Sequence, residues 1–188
     1  RILFEEQGYE GTNIKAIAED CGFQPANLYN YFESKEEILY IVLLQESQRL
    51  YDLIKPIADD ETINPSEKIR KIVKGLAEFS IGRRRKIRLL FMRHAKDLIP
   101  EHRKNVDKIR YAADECIRSI VRRGIEIGEF AQMDELFATH VVYVMMLRSR
   151  VWFSIDDKNT QDKFTEFVSD FLLTALKNYR QSEETTKS

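Results

Sequence analysis

The apolar residues of this 188-residue chain recur at spacings of three and four, and nowhere does apolar–polar alternation persist long enough to make a strand. That period belongs to helices with one face turned inward, so the chain must bury its apolar surface helix against helix. A chain of this length can hold one or two domains with a substantial core. Only 7 Gly and 4 Pro interrupt the pattern, and 43% hydrophobic with 32% charged residues suits a helix-rich globule. The fold class expected is all-α. An N-terminal three-helix head and a C-terminal helical body make up about nine helices in all.

Several function classes drop out at this level. No stretch approaches the roughly 18 uncharged apolar residues that a membrane span requires. Arg1-Ile2-Leu3-Phe4 lacks the order of a signal peptide and no initiator Met precedes it, so a missing N-terminal segment is expected. Cys21 and Cys116 are too few for a disulfide framework, and buried, reduced thiols of a cytoplasmic protein are the simpler reading. His94, His102 and His140 follow no metal-ligand spacing and are expected as surface or core histidines. There is no glycine-rich phosphate loop, nucleophile elbow or supported pair of carboxylates, so neither an enzyme nor a cofactor is expected.

Residues 1–7 read as the end of an amphipathic helix, stopped at Gly8. Thr12 is placed to cap a second helix, on which Ile14, Ile17, Ala18 and Cys21 form one apolar stripe. That helix is too short to stand alone and must be held by neighbours. Gly22-Phe23-Gln24 makes a tight turn, and Pro25 opens a third helix running to Tyr31, with Leu28 and Phe32 facing the core. Gln24, Ala26, Asn27, Tyr29, Asn30 and Tyr31 are left on its open face and end. A short helix, a Gly-containing turn and a second helix with a polar, aromatic outer face is the helix-turn-helix pattern. Ser34 to Glu37 then reads as a capping box opening a long helix, with Lys35 in its first turn able to reach a phosphate.

The run Gly8-Tyr9, Thr12, Ile17-Ala18, Gly22 and 28–37 (Leu-Tyr-Asn-Tyr-Phe-Glu-Ser-Lys-Glu-Glu) resembles the signature of the tetracycline-repressor (TetR) family. The resemblance covers the head almost continuously, at several fixed spacings. It implies an all-helical homodimer, a body gated by a small-molecule effector, and a palindromic operator in double-stranded DNA. It also implies roles for single residues. Thr12, Tyr29, Tyr31 and Lys35 would bond phosphates, and Gln24, Ala26 and Asn27 would lie at the major groove. The amides of Gln24, Asn27 and Asn30 have the donor and acceptor pair that reads an adenine edge. Family members commonly carry a small hydroxyl residue where Gln24 stands and a small or basic one where Pro25 stands, so the operator sequence does not carry over. Other roles stay open for three of these residues: Tyr31 as head packing, Asn30 as a solvated amide, Lys35 as a helix-surface charge.

Charge divides unevenly. Residues 1–47 carry three basic residues against nine acidic, a net of −6, whereas 68–104 carry thirteen against three, a net of +10. An acidic head is unusual for DNA binding, where phosphate neutralisation supplies much of the affinity. It keeps a rival open, a helical interaction module that has lost DNA binding.

The expected domains are a head over 1–47, an effector-binding and dimerisation body over 48–180, and a disordered polar tail over 181–188. The long helix from Lys35 carries Ile38, Leu39, Val42, Leu43 and Leu50 at helical spacing. It is expected to reach about residue 54, before Pro56, so that its roughly 20 residues span about 30 Å and join head to body. Further helices are expected over 66–81, 83–98, 101–127, 134–153 and 161–179, broken at Gly82, Pro100, Gly128 and the polar run 156–159.

The segment 141–147 is apolar on every side, and Phe164, Phe167, Val168, Phe171, Leu172 and Ala175 make a wide stripe. Helices of this kind need burial on more than one face, which a four-helix bundle between two copies supplies. The alternative is ordinary core. Phe79, Phe91, Tyr111, Tyr143, Met145 and Trp152 are candidate walls of an effector pocket. Arg148 within the apolar stretch calls for an internal acid or an anionic ligand. The basic run 83–88 reads either as a solvated face or as a phosphate site. The arrangement from Ile87 to Trp152 is similar to the acyl-CoA-responsive subgroup of the family, and a flat lipophilic drug or aromatic metabolite fits the aromatic walls equally well.

Overall fold

The computed structural model describes Lys15, Gln24 and residues 31–79, 95–152 and 158–180. Among the described residues there are five α-helices, one 3-10 turn and no strand. The all-α expectation is met.

The first of these helices, α1 (Lys35–Asp59), buries Leu39, Leu43, Leu50 and Ile54 along one stripe. It was expected to stop before Pro56 but runs a further turn, with the proline inside it. A helical proline withholds the hydrogen bond it would donate to the carbonyl four residues back, here that of Asp52. Two contacts hold the last turn. Lys55 pairs with Asp59, and the Lys68 ammonium donates to the Ala58 carbonyl at 2.6 Å. At the turn that follows, Asp60 accepts from the amide and hydroxyl of Thr62, which hold its carboxyl below the usual carboxylate range. Asn64 caps α2 (Pro65–Phe79) by accepting from the Glu67 amide at 2.9 Å, with Pro65 at the first helical position. Ile69, Ile72, Val73 and Leu76 form the buried face of α2.

The expected helix over 83–98 is corrected at its end, where Ala95–Asp97 is a single 3-10 turn. Residues 83–94 lie outside the described residues. The cause is local. Ile99 precedes Pro100 and is steered away from helical geometry, and Leu98 is only 4% exposed, packed with Leu39, Leu43 and Val106.

Helix α3 (Pro100–Glu126) starts on that proline and buries Val106, Ala113, Ile117, Ile120 and Val121. Its end is a Schellman motif. The Glu129 amide reaches the Gly124 carbonyl at 2.9 Å, the Gly128 amide reaches that of Ile125 at 3.1 Å, and Gly128 takes a φ of 73°. Gly124 has to be glycine for another reason, since a Cβ there would stand 2.8 Å from Cγ of Phe130 and closer still to the ring edge. The loop continues under restraint. Glu129 accepts from the Ser66 amide, and the Ala131 amide donates to the Leu176 carbonyl at 2.9 Å.

Asp134 then caps α4 (Glu135–Trp152), accepting from the amides of Leu136 and Phe137 at 2.8 and 3.0 Å. The last helix, α5 (Lys158–Asn178), starts three residues before its expected onset, because Lys158 and Asn159 in the supposed polar break are helical. Helix α2 packs against α5 and α4, and α4 against α5. By their contacts the described residues 31–51 and 95–111 form one compact unit, and 52–79, 112–152 and 158–180 a second.

Within the second unit, Arg122 of α3 forks onto Glu135 at the start of α4, with two contacts of 2.8 Å, and also meets Glu115 at 3.3 Å. The guanidinium holds the Glu135 carboxyl below its ordinary value. A carboxyl depressed by folding adds stability above its unfolded pKa and loses it as pH falls through the folded one. Glu135→Gln is therefore expected to lower the melting temperature slightly at pH 7, and its gap to the parent is expected to narrow at pH 3. Thermal melts of both chains at the two pH values check this.

Candidate nucleic-acid interface

The segment that leads into α1 is held by its own short-range chemistry. Ser34 accepts from the Glu37 amide at 3.1 Å, and its carbonyl takes the first helical hydrogen bond, from Ile38, at 3.4 Å. The reciprocal half of the capping box lands one residue early, with the Glu37 carboxylate accepting from the Glu33 amide at 2.6 Å. Lys35 is thus the first residue of the helix, half-buried, on a turn that carries the positive end of the helix dipole. Four residues earlier, Tyr31 sits in a turn and is 77% exposed.

Beside this turn stands a polar cluster that crosses to the start of α3. Glu36 accepts from the Ile99 amide at 3.0 Å and meets Nδ1 of His102 at 3.0 and 3.1 Å through its two oxygens. The His102 ring lies flat on Tyr40, with centroids 3.8 Å apart and planes 4° from parallel. Asn105 donates to the Tyr40 hydroxyl at 3.2 Å. Leu39, Leu43, Leu98 and Val106 form the apolar cluster of the same unit. Sequence reasoning missed this cluster, because its partners stand 62 to 66 positions apart and follow no local spacing.

Of the other expected DNA contacts, Gln24 is exposed and outside regular structure, in keeping with its place in a turn. Thr12, Pro25, Ala26, Asn27, Tyr29 and Asn30 lie outside the described residues.

The candidate effector walls scatter. Tyr143 and Met145 are half-buried on α4, while Phe79, Arg148 and Trp152 are helical with only their backbones described. Phe91 lies outside the described residues. Tyr111, expected as a pocket wall, is 71% exposed, because α3 turns Val106, Ala113 and Ile117 inward and carries Tyr111 on the opposite side. An open cavity of about 900 Å³ lies elsewhere in the second unit, between residues 58–68, which join α1 to α2, and residues 119–127 at the end of α3, and none of these candidates lines it.

The expected dimerisation stripe splits in two. Val168 and Leu172 are buried within the chain, and Phe164 is half-buried. Phe167, Phe171 and Ala175 are exposed, and Leu136, Phe137, Val141 and Val144 on α4 are exposed with them. Cys116, expected as a buried thiol, is partly exposed, and the burial it does have pushes its pKa up. Among the described residues no helix is long and apolar enough to cross a membrane, and no group of three His, Cys, Asp or Glu is arranged to hold a metal.

Residues 62–176 match the family described as "Tetracyclin repressor-like, C-terminal domain", and residues 1–40 match "Bacterial regulatory proteins, tetR family". The chain belongs to the TetR family. It is a transcriptional regulator of that family, with a helix-turn-helix head of the DNA-binding type, and not an enzyme. Among solved TetR-family structures it is similar to the regulator PfmR from Thermus thermophilus, at 28% identity and a TM-score of 0.81 over 95% of each chain. AibR, solved in complex with isovaleryl coenzyme A and operator DNA, shares the fold at 21% identity and a TM-score of 0.77, over 93% of this chain and 91% of its own. The HTH-type transcriptional regulator UidR of Escherichia coli K12 is 37% identical over 49 residues, which span 26% of this chain and 25% of UidR.

In this TetR-family regulator the Ser34 cap joins the head's last residues to α1. Ser34→Ala is expected to cost about 1 kcal/mol of stability, as the loss of an N-cap does. The midpoint of urea denaturation measures it, and Ser34→Asp is expected to restore most of the loss.

Proposed function

We propose that the protein is a homodimeric repressor that occupies a pseudo-palindromic operator and leaves it when an effector binds the body. The observation that carries the DNA half of this reading is the pairing of exposed Tyr31 with Lys35, either side of the Ser34 cap. A phenol, an ammonium and the N-terminus of a 25-residue helix are together suited to a phosphate backbone. Thr12 and Tyr29 join them as phosphate contacts, and Gln24, Pro25, Ala26, Asn27 and Asn30 stand at the major groove. In a dimer the two recognition helices enter successive grooves about 34–36 Å apart.

The dimer rests on exposed apolar residues that a lone chain would leave in water, Phe137 and Val141 on α4 with Phe167 and Phe171 on α5, 53–70% exposed. Ala175 extends this face, while Phe164, Val168 and Leu172 support it from within. For the effector we favour an acyl-CoA. AibR, a structural neighbour, has been solved with isovaleryl coenzyme A. The aromatic and apolar residues Phe79, Phe91, Tyr143, Met145 and Trp152 suit an acyl chain, and Arg148 and the basic run 83–88 suit phosphates. Such a ligand releases DNA only by its differential affinity for the two states of the protein.

The net charge of −6 over residues 1–47 favours a second reading, an interaction module without DNA binding. Selection from a randomised duplex library separates the two. A repressor is expected to enrich a pseudo-palindrome and to lose affinity with salt at a log–log slope of about −0.9 per phosphate contacted. Weak binding with a flat salt response supports the interaction module. On the enriched site Asn27→Ala is expected to change base preference, and an unchanged preference would remove Asn27 from the groove.

Phe171→Glu is expected to shift the protein from dimer to monomer in sedimentation velocity at micromolar concentration and to abolish operator binding. A dimer that persists in this variant would place the interface elsewhere.

A further inference from the structure

Glu36 and Glu37 are adjacent and do opposite things. Glu37 turns back to cap its own helix, whereas Glu36 reaches the start of α3, where it accepts from the Ile99 amide and meets His102. Ile99 is the cap residue of α3, since its carbonyl takes the first helical bond, from Arg103, at 3.0 Å. A carboxylate at a helix N-terminus is favoured by the dipole. Glu36 therefore acts as a cap for α3 supplied from α1. The pair is half-buried, with side chains 24% and 21% exposed for His102 and Glu36, so water screens it less than a surface pair. Stacking of His102 on Tyr40, and the bond from Asn105 to the Tyr40 hydroxyl, repeat the link one turn further along both helices.

We propose that Glu36 and His102 are positioning residues for DNA binding: together they fasten the first turn of α1, which carries Lys35, to the start of α3. Neither need touch DNA. Lys35 immediately precedes Glu36 in that turn, so a first turn released from α3 would present the ammonium over a range of positions instead of one. A phosphate contact made from a loose anchor loses its orientation, and its share of the salt dependence falls with it. The inference rests on the reading of Lys35 as a phosphate clamp.

The test uses the whole chain and the duplex that the wild type enriches from a randomised library. Glu36→Ala is expected to weaken binding about fivefold to twentyfold and to reduce the log–log salt slope by about one. His102→Ala is expected to do the same, and His102→Asn, which keeps a donor near the Nδ1 position, to recover part of the affinity. In a Lys35→Ala background neither change is expected to weaken binding further.

A purely structural role would lower the melting temperature but leave the salt slope where it was when affinity is measured on folded protein, and that result overturns the proposal. Full additivity with Lys35→Ala overturns it as well. Should Glu36→Ala fail to fold by circular dichroism, the two His102 variants decide the question by the same affinity and salt-slope readings. A wild-type chain that enriches no duplex at all defeats the DNA-binding reading itself, a result distinct from a bound duplex whose affinity ignores Glu36 and His102.

Discussion

Burial of the α2 stripe is the interaction on which the second unit depends. Ile69, Ile72, Val73 and Leu76 occupy positions i, i+3, i+4 and i+7, all four are at most 5% exposed, and the helix packs against both α4 and α5. Each such side chain contributes about 1.5–3 kcal/mol on burial, more than the unit's surface ion pairs supply. The bridge from Arg70 to Asp170 joins the same helices at 2.7 Å, but its side chains are 44% and 57% exposed, and pairs of that kind contribute little. Polar chemistry in this unit acts at the ends of helices, where Asn64, Asp134 and Gly128 set where each one starts or stops.

The first unit divides the work differently. Its apolar cluster is small, built from Leu39, Leu43, Leu98 and Val106, and a chain of polar contacts stands beside it from Glu36 through His102 and Tyr40 to Asn105. Hydrophobic contact is non-directional, so it holds helices together without fixing their rotation or register. Hydrogen bonds and ring stacking carry preferred angles. The part of the chain that leads to the DNA-binding head is held by directional contacts as well as by apolar ones.

How much of this was legible in the sequence depends on the range of the interaction. The all-α class, the buried faces of α2 and α3, and the Ser34–Glu37 cap follow from residues three or four positions apart, and local spacing reveals them. Helix ends were harder. Pro56 marks a helix stop by rule, yet Lys68 from the next helix caps the turn beyond it, and that partner cannot be inferred from 35–59 alone. The split of the α5 stripe was hidden too. Phe167, Val168, Phe171 and Leu172 all belong to one apolar band in the sequence, and only the packing of α2 and α4 turns Val168 and Leu172 inward while Phe167 and Phe171 stay outside. The Glu36–His102 contact left no trace, because nothing near either residue specifies a partner more than 60 positions away.

The stretch between α3 and α4 is tied down at every step: Gly128 and Glu129 to the end of α3, Ser66 to the Glu129 carboxylate, Ala131 to the last turn of α5, and Asp134 to the next helix. The turn between α1 and α2 answers mainly to itself, through Asp60, Thr62 and Asn64. The two connections therefore differ in evolutionary freedom. Descendants of this chain can lengthen, shorten or decorate the 60–64 turn at small cost, whereas one residue added within 127–134 breaks several attachments at once, so insertions that survive should gather at the former and spare the latter.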